Sequence, residues 1–221
     1  MTLSYFSVSG LKNIEALRCK QWGMSLLLRF KKLFYEKAQE KNPKNIMNES
    51  FLEKVSIEKA SEYLFDFAID HSDIKLILQG LPEDIKINRV SMEYEIQLLK
   101  ILGVGWSISF FLDESSIKKE LSESFWSAVQ SFSQSISTLS SSFTGKEIDY
   151  FNTLKERLDT YLNALNLISD NPDPLVSVGP KFAEICGSKD NAHIMLSGSK
   201  AFSLSVGGVK NYFESVQIEP R

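Results

Sequence analysis

A chain of 221 residues, 43% hydrophobic and 24% charged, carries enough apolar mass for one substantial core. Its net charge of only −3 excludes the polyelectrolyte character that draws a whole molecule to nucleic acid or anionic lipid. Two distant cysteines, Cys19 and Cys186, and two histidines, His71 and His193, do not make a zinc site, a redox pair or a three-histidine metal centre.

Charge is unevenly spread. Residues 1–46 hold nine Lys and Arg against three Glu, a local balance of +6 that leaves −9 for the remainder. We expect a single helical domain over residues 1–221 with a basic N-terminal helical arm at about 1–46. The opening MTLSYFSVSGLKN has no basic segment followed by an apolar one, so a secretory signal is not expected and the expected location is cytoplasmic.

Helical periodicity dominates the chain, and alternation appears only in pieces such as Leu3 to Val8. The first helix is expected from about Leu11 to Lys41, where Asn42-Pro43 ends it. A second starts at Ser50, with Glu53 completing a capping box, or restarts at Ser56 and runs to about Ile69. Asp70, His71 and Ser72 break it. A short helix then reaches Gly80, and Pro82 opens the first turn of a longer one through about Leu112.

From Ile117 the apolar positions Leu121, Phe125, Val129, Phe132, Ile136, Leu139 and Phe143 form one helical stripe, with a mostly serine face opposite. Thr144 and Glu147 have capping-box spacing and predict the start of the next helix, which extends to about Ile168. So short a connection predicts an antiparallel hairpin over residues 116–168 at the centre of the molecule. Asp173 and Pro174 predict the N-cap and first position of a helix ending at Gly187. Asp190 is the expected cap of a final helix, in which Gly198, Gly207 and Gly208 mark either a kink or a close backbone approach. The expected fold is all-α, a multi-helix bundle of about six to eight helices with the hairpin central.

The strongest local signal is ILGVGWSISFFL, residues 101–112, an uncharged run bounded by Lys100 and Asp113. It is too short to span a membrane, which needs about 20 apolar residues, and it reads as a core helix. Gly103 and Gly105 each cost about 1 kcal/mol against alanine within a helix. Close packing of a neighbour against them is one compensation. A ligand cavity lined by Gly103, Gly105 and Trp106 is the other.

Catalytic motifs are missing. There is no GxSxG, GxxxxGK[ST], GxGxxG, HExxH or paired ExxH, so no catalytic residue, metal ligand or cofactor is expected. Glu93 and Glu95, two apart on a helix, point in different directions. The basic arm interleaves Arg29, Lys31, Lys32 and Lys37 with Trp22 and Phe30, the chemistry of a partner-binding face. The favoured expectation is a non-enzymatic helical interaction or scaffold protein that meets a protein partner or another copy of itself. The alternatives are a small-molecule-binding bundle at Gly103, Gly105 and Trp106, and nucleic-acid association through the arm.

Overall fold

The computed structural model describes residues 52–145, 149–166 and 175–220. In chain order these form β1 (Glu53–Ser56), α1 (Ile57–Ile69), α2 (Ser72–Gln79), α3 (Arg89–Phe111), α4 (Ser116–Thr144), α5 (Tyr150–Asn166), α6 (Leu175–Ile185), α7 (Ala192–Ser215) and β2 (Val216–Glu219). The chain is an all-α bundle, with one short two-stranded parallel sheet attached. The whole basic arm lies outside the described residues, as do the Asp173-Pro174 cap and the Glu147 half of the expected capping box.

The helix that other helices surround is α3, which packs against α1, α2, α4, α5 and α7. Every residue from Glu95 to Ile108 is buried, so the run Ile101–Ile108 is core, and the helix comes to the surface at its two ends, near Val90 and near Phe110. No helix among the described residues is long and apolar enough to cross a membrane. α4 contacts α5, and the Tyr150 backbone N–H donates to Ser137 Oγ at 3.1 Å, joining the two beside their connection.

Several boundaries differ from the local signals. Ser56 caps α1 by accepting from the Lys59 N–H, while Glu53 is committed to β1 rather than to a capping box. Asn88, accepting from the Ser91 N–H, starts α3 seven positions or so after Pro82, because residues 82–88 run as turn and coil. Thr144 is the last residue of α4, with Gly145 in the left-handed region at φ 65° as its C-cap, and Asp149 caps α5 through the Asn152 N–H. Asn191 rather than Asp190 caps α7, accepting from the N–H groups of His193 and Ile194. α7 then passes through all three of its glycines unbroken and ends at Ser215, where Val216 opens β2.

β2 pairs in parallel with β1, Glu53 opposite Val216 and Ser56 opposite Glu219. Val55 and Val216 are buried beneath the sheet, and Lys54 donates to Glu219 at 2.7 Å on its outer side.

Candidate functional site

The glycines of α3 sit where neighbours come closest. A Cβ on Gly103 would stand 2.9 Å from Ser205 Cβ on α7, and one on Gly105 would overlap the Trp126 ring of α4. Trp106 is nearly buried, stacked on Phe110 with centroids 4.6 Å apart and tilted against Phe202 at 5.6 Å. These three residues therefore lie in one region of the core, with α7 and Trp126 packed against its glycine surfaces. Trp22, Arg29, Phe30, Lys31, Lys32 and Lys37 lie outside the described residues.

A polar cluster that sequence reasoning missed lies nearer the N-terminus of α3. Arg157 on α5 makes a two-pronged salt bridge to Glu95, Nε to Oε2 at 2.7 Å and Nη2 to Oε1 at 2.6 Å. The Glu95 side chain is 10% exposed, whereas Glu93 is 40% exposed and faces His71, so the two glutamates do diverge. The bridge to Glu95 raises the Arg157 pKa further. Around it stand three tyrosines and a thiol. Burial first, and the Glu95 charge second, push the Cys186 thiol up to about 12 and raise the Tyr161 phenol well above its usual range. Burial likewise raises Tyr150, which meets Tyr94 edge to face at 5.3 Å. Tyr161 is buried, and its hydroxyl finds no hydrogen-bond partner among the described residues.

A cavity of about 420 Å³ opens beside this cluster, between the first turns of α3 and the end of α6. Asn88, Ser91, Met92 and Glu95 line one side, Ile185 and Cys186 the other. The one available signal for the cluster was Arg157 itself: it falls among Leu154, Leu158 and Tyr161 on the buried face of α5, where a cation needs a counter-charge.

The surface carries a second feature. On α7, Leu196, Lys200, Ser203 and Gly207 follow at helical spacing along an exposed line, with Leu204 beside it. Leu196 is 66% exposed and Leu204 40%, while the space above Gly207 is open for 4 Å.

Among the described residues no group of three or more His, Cys, Asp and Glu side chains is placed to hold a metal ion. Comparison with known protein families, with curated proteins and with solved structures finds no match to this chain.

Proposed function

We propose that the chain is a non-enzymatic helical interaction protein, and that its first partner is a second copy of itself. The observation that carries this reading is the exposed line on α7. Two copies of α7 crossing antiparallel about a point between Lys200 and Ser203 set Leu196 of each over the open surface of Gly207 of the other. An apolar knob into a glycine gap is the pattern of a self-complementary helix contact. At 1.5 Å per residue the 24 residues of α7 span about 36 Å, long enough for a contact of standard size.

The interior supports a contact role over a catalytic one. The Cys186 thiol, pushed up to about 12, stays protonated at ordinary pH and is a poor nucleophile. Glu95 is held by Arg157 on both oxygens.

Sedimentation velocity of the intact chain over a range of concentrations tests the proposal. Self-association that strengthens with concentration is expected, and Leu196→Glu, at so exposed a position, stays folded but sediments as a monomer. Each leucine contributes about 1.5–3 kcal/mol when fully covered, so the loss is large enough to read. A wild-type chain that remains monomeric throughout overturns the proposal.

A further inference from the structure

Where α4 passes the start of α1, a groove of about 490 Å³ lies open along it, bordered by Ile57 of α1. Glu120, Glu123, Ser124, Ser127, Ala128 and Ser131 line its α4 side, and their spacing puts all six on one face of that helix. The face runs for about 16 Å, three turns. Its middle is built from serine and alanine, whose small side chains let a guest backbone come close.

Charge selects the guest. The two charged residues that line the groove are both acidic, both are half-buried, and neither enters a salt bridge among the described residues. A carboxylate that has lost part of its water without gaining a counter-charge favours a basic partner. The chain carries one. Of the stretches outside the described residues, 146–148 is too short to fill the groove, and 167–174 holds two aspartates and no cation. Residues 1–46 hold nine Lys and Arg against three Glu.

Connectivity brings that segment to the same place. It leads into β1, and Leu52 is separated from Ile57, on the border of the groove, by at most about 17 Å of extended chain. A tether of this kind gives an effective concentration on the order of millimolar, so a weak contact suffices. We infer that the basic N-terminal segment, residues 1–46, docks in this groove of its own chain and sets cations against Glu120 and Glu123. Any acidic partner of the segment must then displace it from the groove. The contact is independent of the α7 pairing proposed above.

Carbodiimide cross-linking of an equal mixture of unlabelled and isotope-labelled full chains tests the inference, with Leu196→Glu in both to keep the α7 pairing out of the readout. Links from Glu120 or Glu123 to lysines between Lys12 and Lys44 are expected, each joining peptides of a single isotope. Glu120→Gln with Glu123→Gln keeps the shape of the groove and removes its charge. In that variant trypsin is expected to cut within residues 12–44 about fivefold faster relative to sites in α1–α7, the effect of losing two ion pairs of modest strength. The inference is overturned by the absence of links from either glutamate to residues 1–46, or by an unchanged ratio of cleavage rates. Links that join the two isotopes at random overturn it as well, because the guest is then the segment of a second copy.

Discussion

At the scale of single residues, the glycines of this chain are of two opposite kinds, and sequence spacing does not separate them. Gly105 faces the ring of Trp126, itself 1% exposed and unable to step aside, so Gly105→Ala is expected to cost about 1–3 kcal/mol. Gly207 faces open space, and alanine there removes the conformational cost of a helical glycine, with an expected gain of about 0.5–1 kcal/mol. Chemical denaturation of both variants, carried in a Leu196→Glu background to keep α7 free of self-contact, checks the pair. Equal and small effects would show that neither glycine is placed by its neighbours.

At the scale of elements, α1 is held at its C-terminal end by two side chains of α3. Gln97 donates to the Ala68 carbonyl at 2.6 Å, and Lys100 donates to the Asp70 carbonyl at 2.8 Å and to Asp73 at 3.1 Å. Lys100 also lies over the Phe67 ring, 4.8 Å from its centroid. A cation and an amide thus satisfy carbonyls that the end of a helix leaves unpaired. Lys100→Met keeps the apolar stem but leaves the Asp70 carbonyl without its donor. The two aspartates stay accessible to water, so an expected loss of about 1–3 kcal/mol, rather than the larger cost of stranding a buried anion, is to be read by urea unfolding.

The stripe on α4 shows how far such elements were legible beforehand. Leu121, Phe125 and Val129 are fully buried as their spacing predicts, yet Leu139 on the same stripe is 57% exposed. Spacing records which face of a helix is apolar, not how far its neighbours extend, and α4 has 29 residues against 13 in its neighbour α1. The strand EKVS was hidden for a related reason. Its partner VQIE is 163 positions further along, and no local pattern at Glu53 announces it. The Glu95 and Arg157 pair likewise joins residues 62 positions apart, and only Arg157's place on an apolar face hinted at it.

Across the whole molecule, the buried neutral acids set a limit on alkaline stability. The fold holds Cys186 up to about 12, and holds Tyr150 and Tyr161 above their ordinary range, chiefly by burial. In the unfolded chain these groups ionise near about 8.5 for cysteine and about 10 for tyrosine. Raised folded values mean that their contribution is fully present below about pH 8.5 and is lost as pH climbs toward the folded values. Unfolding free energy measured by denaturant at a series of pH values is expected to hold level to about pH 8.5 and then fall, more gently in Tyr161→Phe. A level curve far into the alkaline range would contradict this. On the acid side Asp70 works the other way: burial pulls it up, but bonds from Ser72 and the nearby Lys100 outweigh that and hold it low, so its contribution fades as pH drops.

The parallel pairing of β1 with β2 also decides how the protein meets mechanical load. β1 lies at the start of the described chain and β2 at its end, and both strands run the same way. Traction applied at residues 52 and 220 therefore drags the strands along each other in opposite directions, so the ladder is strained in shear and its bonds share the force at once. An antiparallel pair pulled from one end would open like a zipper, bond by bond. Resistance to tension between these two points is thus governed by strand direction, a property of the eight residues of the two strands.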